Sequence, residues 1–201
     1  MDMKRITSPL QHDIIKGLTV GDMVSISGRI VTGRDQIHKH LASGGEPPID
    51  ISGLVIYHCG PVVIKENGQW KITAAGPTTS MREEPYQAEI ISKLRPRAIM
   101  GKGGMGEKTK KAMSECGCIY LHATGGAAQY LAERIIKVEG VYLEEFGQPE
   151  SMWVLTIKDL PALVTMDSHG NSLHDIILND SSKRLEELFS QSFKKERKSR
   201  V

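Results

Sequence analysis

The chain has 201 residues, 26 Lys and Arg against 24 Asp and Glu, a net charge of +2, 20 Gly and three Cys. At 39% apolar and 25% charged residues it is neither disordered nor fibrous by composition, and its length suits one domain with a sizeable core. No apolar run nears the roughly 20 residues of a membrane-spanning helix, three Cys argue against a disulfide framework, and the start from Met1 to Pro9 lacks a secretory core, so a cytoplasmic chain is expected.

In chain order, Val24, Ile26 and Ile30-Val31 form a partly alternating strand with Gly28 as a bulge. It ends at Thr32-Gly33-Arg34-Asp35, and Asp35 is predicted to cap a helix through His38 and Leu41. Ser43 to Pro48 is a loop, and Leu54 to Tyr57 a buried strand stopping at Gly60-Pro61. Asn67-Gly68 between Val62-Val63-Ile64 and Trp70-Lys71-Ile72 predicts a hairpin. Glu84 to Leu94 is a predicted helix with Ala88, Ile91 and Leu94 as its apolar positions. Arg97 to Met100 is a short strand running into the glycine-rich Gly101 to Gly106, followed by a helix from Glu107 to Cys116. Ile119 to Leu121 is a strand, Gly125-Gly126 a turn and Ala127 to Ile136 a helix. Strands return at Val138 to Phe146, Met152 to Ile157 and Leu163 to Met166, and the end from about Leu173 is helical and polar. Strands alternating with helices imply parallel βαβ units, hence a single α/β domain with a mixed sheet and flanking helices.

Charge is unevenly spread. Residues 183–201 carry seven basic and three acidic side chains, +4, which leaves residues 1–182 with 19 basic and 21 acidic, −2. The body at 1–182 is the domain; 183–201 is a basic tail, helical or disordered.

Three glycine-rich corners each carry one cation. Gly101-x-Gly103-x-x-Gly106 literally matches the dinucleotide fingerprint, yet no carboxylate follows the next strand at Tyr120-Leu121-His122-Ala123. What survives is an anion site made of backbone N–H groups at a helix start plus Lys102, against the plainer reading of a glycine turn with a solvated lysine. Gly76-Pro77-Thr78-Thr79-Ser80-Met81-Arg82 places three hydroxyls beside a guanidinium fork, although such turns usually satisfy only their own backbone. Thr32-Gly33-Arg34-Asp35 with His38 repeats the cation-at-a-corner pattern. Together Arg34, Arg82 and Lys102 suit a small dianion such as a dicarboxylate. Cys116-Gly117-Cys118 lacks the spacing of metal or redox pairs, Cys59 beside His58 is packed rather than reactive, and His122, His169 and His174 form no ligand spacing. Metal binding by this chain alone is not expected. A scatter of three Phe, two Trp and five Tyr supplies base stacking poorly, so nucleic-acid binding is disfavoured.

These segments occur together with Gly125-Gly126-Ala127-Ala128, Gly147-x-Pro149-Glu150-Ser151-Met152-Trp153 and Asp167-Ser168-His169-Gly170-Asn171. In this order they closely resemble the β subunit of two-subunit, class I fumarate hydratases and of L(+)-tartrate dehydratase, from about Lys4 to Ile177. The resemblance implies a swivelling β/β/α domain that closes over an α subunit in a hetero-oligomer. It implies that the α subunit supplies an oxygen-sensitive 4Fe–4S cluster on three cysteines, whose open iron acts as a Lewis acid. It further implies that Arg34, Arg82 and Lys102 bind the dicarboxylate and that Thr78 is the base at the carbon beside a carboxylate, with Asp35, Thr79, Gly101 and Gly103 in support. A threonine hydroxyl is a poor base unless nearby cations stabilise its alkoxide or another group relays the proton; three converging cations would supply that field. One departure is Glu83, where an apolar Met is expected; its carboxylate either pairs with Arg82 or points to solvent. The expected activity is reversible hydration of fumarate to L-malate, with tartrate dehydration to oxaloacetate as the alternative. A non-catalytic nucleotide- or nucleic-acid-binding module is the reading outside the family.

Overall fold

A computed structural model describes the backbone of residues 3–198 and the side chains of residues 3–189. The chain begins with strand β1 (Lys4–Ser8), helix α1 (His12–Lys16), strand β2 (Met23–Thr32) and helix α2 (Asp35–Ala42). Strand β3 (Val55–Tyr57) leads to the hairpin β4 (Val62–Glu66) and β5 (Gln69–Ala74), and a 3-10 turn at Ser80–Glu83 runs into α3 (Glu84–Leu94). Then come β6 (Ala98–Gly101), α4 (Glu107–Cys116), β7 (Ile119–His122), α5 (Ala128–Ala132), β8 (Ile135–Tyr142), a 3-10 turn at Glu144–Phe146, β9 (Met152–Met166) and α6 (Leu173–Lys198).

Several of these elements follow from local chemistry. The hairpin turns on Asn67 (φ 50) and Gly68 (φ 79), the positive-φ pair that a two-residue turn requires. Helix α3 starts with Pro85 in its first turn, where a missing N–H costs nothing, and stops at Arg95 in the left-handed region just before Pro96. Helix α4 ends on Gly117 at φ 67, the usual glycine stop.

The main sheet has seven strands in the order β1-β2-β3-β6-β7-β9-β8, and β2 also pairs with β9. The pairings β2-β3-β6-β7-β9-β2 therefore form a closed ring, parallel from β2 to β7 and antiparallel on both sides of β9. Alternation along the short strands divides the core in two. Val55, Tyr57, Ala98, Met100, Ile119 and Leu121 share one cluster with Trp153 and Leu155. Ile56, Ile99 and Tyr120 face the other, against Ile37 and Leu41 of α2, Ile90 and Ile91 of α3 and Met113 of α4. Parallel strands buried on both faces need such continuous apolar runs.

Four expectations are corrected. The helix expected over Ala127 to Ile136 is only Ala128–Ala132, because Ile135 and the residues after it join β8 against β9. The strand expected to reach Phe146 stops at Tyr142, where Leu143 at φ 57 turns the chain into a 3-10 turn. Met152 to Ile157 and Leu163 to Met166 are one strand, β9. Its outer partner changes from β8 to β7 between Ile157 and Leu163, so Pro161 lies where no second strand needs its N–H. Of the expected apolar positions of α3 only Ile91 is fully buried, beside Gln87 and Ile90, while Ala88 and Leu94 pack at the margin of the core.

Gly28 is the bulge in β2: its φ is 98 and the register shifts between Ile26 and Gly28. A Cβ there would overlap the carbonyl oxygen of Ser8 on the neighbouring β1, so backbone strain and a backbone clash act together. Gly28→Ala is expected to cost about 3 kcal/mol or more, read as a lowered denaturant midpoint; an unchanged midpoint would mean that β1 moves aside freely.

The far helix α6 leaves the body with Ile177, Leu178, Leu185, Leu188 and Phe189 between 49% and 66% exposed. It runs unbroken through residues 182 and 183; residues 199–201 of the expected tail lie outside the described residues. No helix among the described residues is long and apolar enough to cross a membrane.

Candidate functional site

Because β2, β3, β6 and β7 are parallel and in register, their C-terminal ends face the same way. Open parallel sheets present their ligand sites at that end. Arg34 follows β2, His58 follows β3, Lys102 follows β6 and His122 ends β7, so one end of the sheet gathers all three expected cation corners.

The closest association is between Thr78 and Lys102. The Lys102 N–H donates to Thr78 O at 3.2 Å, and the Ser80 N–H donates to Lys102 O at 2.9 Å. Thr79 and Lys102 thus form a short parallel bridge. The Thr78 N–H donates to His58 O at 2.6 Å, which ties the same segment to the end of β3. The stem of Lys102 runs past Gly125, where a Cβ would touch its Cδ at 3.6 Å. Gly101 has no space for a side chain: a Cβ would overlap Ser80 Oγ and sit 3.2 Å from His58 Cβ. Gly103 adopts φ 85, a backbone state that favours glycine.

Arg34 and Arg82 meet at Asp35. Arg82 donates to the Asp35 carboxylate, and Arg34 Nη2 lies 4.0 Å from the same Oδ2. Asp35 is therefore the first residue of α2 with its carboxylate in an ion pair, and not the expected cap. Arg34 is further anchored by Glu150, with Nε 3.3 Å from Oε1. It also lies against Gly60, where a Cβ would stand 2.5 Å from Arg34 Nη1. The Arg82 side chain is 53% exposed and that of Arg34 22%, so the former is the more open fork.

The expected anion site at a helix start is partly taken by the chain itself. Glu84 Oε2 accepts from the Gly106 N–H at 2.8 Å and from Thr109 Oγ1 at 2.7 Å, and Oε1 accepts from the Thr109 N–H at 3.2 Å. A carboxylate of the chain itself thus takes two of the backbone N–H groups at the start of α4 and offsets the positive end of the helix. At α2 the same holds: Glu150 Oε2 accepts from the Gln36 N–H at 3.0 Å. An external anion would compete with these carboxylates at both helix starts, which weakens the support that the glycine fingerprint lent to a nucleotide-binding reading.

Glu83 follows neither expected course. It is fully buried, with Oε2 3.6 Å from His38 Nδ1, while Arg82 turns to Asp35 instead. Burial, then the neighbouring Asp35 carboxylate, pushes the Glu83 carboxyl up to about 8. At neutral pH it is a neutral acid.

The sequence assigned no role to the buried His58, Ser80, Gln87 and Tyr120 behind these corners, nor to the half-buried Glu84 and Glu150. One signal was available for Gln87, which shares the buried face of α3 with Ile90 and Ile91 at helical spacing. Cys59, Cys116 and Cys118 are all buried free thiols, and burial pushes Cys59 up to about 12 and Cys118 higher still. Thiols so disposed do not fit an iron–sulfur cluster, which needs thiolates. Among the described residues no three His, Cys, Asp or Glu side chains are grouped to hold a metal.

A family model described as Fumarase C-terminus matches residues 2–177. The chain is similar to a protein of Geobacillus stearothermophilus named "Putative fumarate hydratase class I", 57% identical over 181 residues, which are 90% of this chain and 35% of that protein. It is also similar to the L(+)-tartrate dehydratase subunit beta of Escherichia coli, 36% identical over 174 residues, 85% of this chain and 87% of that subunit. The chain thus spans about a third of the first relative's length and most of the second's.

Proposed function

The chain belongs to the fumarase C-terminus family, and on that premise we propose that it is the β subunit of a class I hydro-lyase that interconverts fumarate and L-malate. In this reading residues 1–182 are a swivelling domain that works in the cytoplasm with an iron–sulfur α subunit, and 183–201 are an appended basic tail. The observation that carries the reading is the meeting of Thr78 with Lys102, and of Arg34 with Arg82, at one end of the parallel sheet. The chain's own carboxylates compete for an anion at the starts of α2 and α4, so we assign the substrate's two carboxylates to Arg34, Arg82 and Lys102.

Each residue has a role that suits its chemistry. The exposed guanidinium of Arg82 is held by Asp35 until a substrate carboxylate takes that place in the fork. Lys102, joined to Thr78 through its backbone, brings a cation to this corner that would stabilise negative charge on the substrate carboxylate when the adjacent carbon loses its proton. We assign Thr78 to take that proton, a role that requires the Lys102 ammonium to lower the cost of its alkoxide. Asp35 and Thr79 keep the cation corners in register, and Gly101 and Gly103 let the backbone approach. The thiols of this chain do not fit a cluster, so the 4Fe–4S group of the proposed enzyme is the α subunit's.

The identity to the fumarate hydratase relative exceeds that to the tartrate dehydratase subunit, which favours fumarate; the near full-length match to the latter keeps tartrate as the second reading. Anaerobic co-purification with its α chain, followed by assays on fumarate, L-malate and L(+)-tartrate, decides between them. Fumarate hydration is expected. Tartrate turnover without fumarate turnover would replace the first reading by the second, and turnover of neither diacid would remove both.

A further inference from the structure

Behind the proposed site runs a continuous buried path of hydrogen bonds that none of the proposed roles uses. His38 Nδ1 lies 2.9 Å from Arg34 O, and His38 Nε2 lies 2.9 Å from Gln87 Oε1. His58 Nε2 is 2.9 Å from the same Gln87 oxygen, and His58 Nδ1 is 2.8 Å from Ser80 Oγ. The Tyr120 hydroxyl donates to Ser80 Oγ at 2.7 Å. All five side chains are 0% exposed. The path joins the Arg34 corner to the Thr78–Arg82 corner, and through the bridge between Thr79 and Lys102 it reaches the third.

Its hydrogens can be counted from one end. Arg34 O can only accept, so His38 Nδ1 carries a hydrogen. If the Gln87 oxygen faces the two rings, both Nε2 atoms must donate to it. His38 would then be an imidazolium in a dry site, and the Gln87 amine would be left without a partner. Turning the carboxamide over removes both difficulties, since its shape is the same either way and only its partners decide. The amine then has two hydrogens for two bare Nε2 atoms, and the group left unpaired is a carbonyl, which proteins tolerate more readily than an orphan N–H.

We propose that Gln87 is a double donor to His38 and His58, that both rings are neutral with their hydrogen on Nδ1, and that His38, Gln87 and His58 are positioning residues for Thr78 and Lys102. The direction of the path follows: Gln87 donates to both rings, His38 donates to Arg34 O, and His58 donates to Ser80 Oγ, which also accepts from Tyr120. Burial holds both histidines below their usual range, which agrees with neutral rings. His58 is the key member because it holds the reactive segment twice, Thr78 through its backbone oxygen and Ser80 through its ring. Gly101 belongs to the same design: any side chain there would displace Ser80 from His58.

The activity part of the test rests on the proposed hydro-lyase reading, while the spectroscopic part does not. The full chain is labelled with nitrogen-15 histidine and its ring tautomers are read by long-range proton–nitrogen correlation at neutral pH, with His38→Asn and His58→Asn to assign the signals. Both rings are expected protonated on Nδ1 and bare on Nε2; a hydrogen on Nε2 of either ring overturns the proposal. Gln87→Glu keeps the shape but offers at most one hydrogen, which the bare His38 Nε2 takes, so it is expected to move the hydrogen of His58 to Nε2. In the assembled enzyme it lowers kcat about tenfold to a hundredfold, with a smaller change in KM and a shifted pH profile. His58→Asn, whose amide can still donate to Ser80, retains more kcat than His58→Leu. Parent tautomers together with parent kcat in Gln87→Glu, or equal losses in the two His58 variants, overturn the positioning role. An assembled wild-type enzyme without diacid turnover would remove the hydro-lyase reading and leave the tautomer result to decide the path by itself.

Discussion

Lys102→Ala is expected to lower kcat/KM of the assembled enzyme for fumarate about a hundredfold to a thousandfold, the usual loss when one fixed donor to developing negative charge is removed. The fold should hardly notice, because Lys102 is held through its backbone by Thr78 and Ser80, and alanine keeps those bonds. Arg82→Ala is expected to act similarly on turnover, and Arg82→Lys to restore little, since an ammonium cannot grip a carboxylate in two parallel bonds. Steady-state kinetics alongside thermal midpoints separate the two effects. A near-parent rate in either alanine variant, with the midpoint retained, would remove that residue from the substrate site.

Glu83→Gln should make the pH dependence of stability visibly flatter. The Glu83 carboxyl is raised from 4.5 to about 8, first by burial and then by Asp35, with Glu150 acting the same way and Arg82 opposing. The folded chain therefore keeps this proton up to about pH 8, while the unfolded chain releases it near 4.5. Between those values the folded state binds more protons, so stability falls as pH rises and levels off above about 8. His38, which faces Glu83, and His58 are both lowered. They contribute the opposite slope, but only below the ordinary histidine range. From about pH 6.5 to 8 the Glu83 slope stands alone and amounts to about 2 kcal/mol. Urea unfolding across that interval should show the parent losing about this much and Glu83→Gln losing little. Parallel curves would mean that Glu83 ionises in the folded chain at ordinary pH.

Local signals explain which elements were legible from sequence. Asn67-Gly68 marks a hairpin because few residue pairs accept two positive φ values. Glu84 to Leu94 and Glu107 to Cys116 stand out because a proline or glycine bounds each helix. Where the signal was not local, the reading failed. Met152 to Ile157 and Leu163 to Met166 read as two strands, and only the exchange of partners along β9 lets one strand run on through Pro161. Ile135 and Ile136 have no pattern that separates a helix end from an edge strand, and pairing with β9 decided for strand.

The site divides in the same way. The resemblance and the cation count assembled Arg34, Arg82, Lys102 and Thr78; the parallel strands carry Arg34 and Lys102 to one end of the sheet, and backbone bonds to His58 and Lys102 and the ion pair with Asp35 bring Thr78 and Arg82 there. The carboxylates were not readable, because what each one meets lies far along the chain: Glu84 caps a helix 22 residues on, and Glu150 one 114 residues back.

By itself the sequence determined the composition of the candidate site: glycines where backbone must approach, one cation at each corner, a hydroxyl segment next to a cation. It also determined that the cysteines have no cluster spacing. Only the tertiary structure decided which of these charges are available. It set the chain's own carboxylates at both helix starts, placed Asp35 between two guanidinium groups and buried Glu83 as a neutral acid. It also laid two histidines and a glutamine behind the hydroxyl segment. The physical reason is that a side chain's charge state and hydrogen-bond partners depend on burial and on neighbours brought in by the sheet, and neither is written in the spacing of residues along a chain.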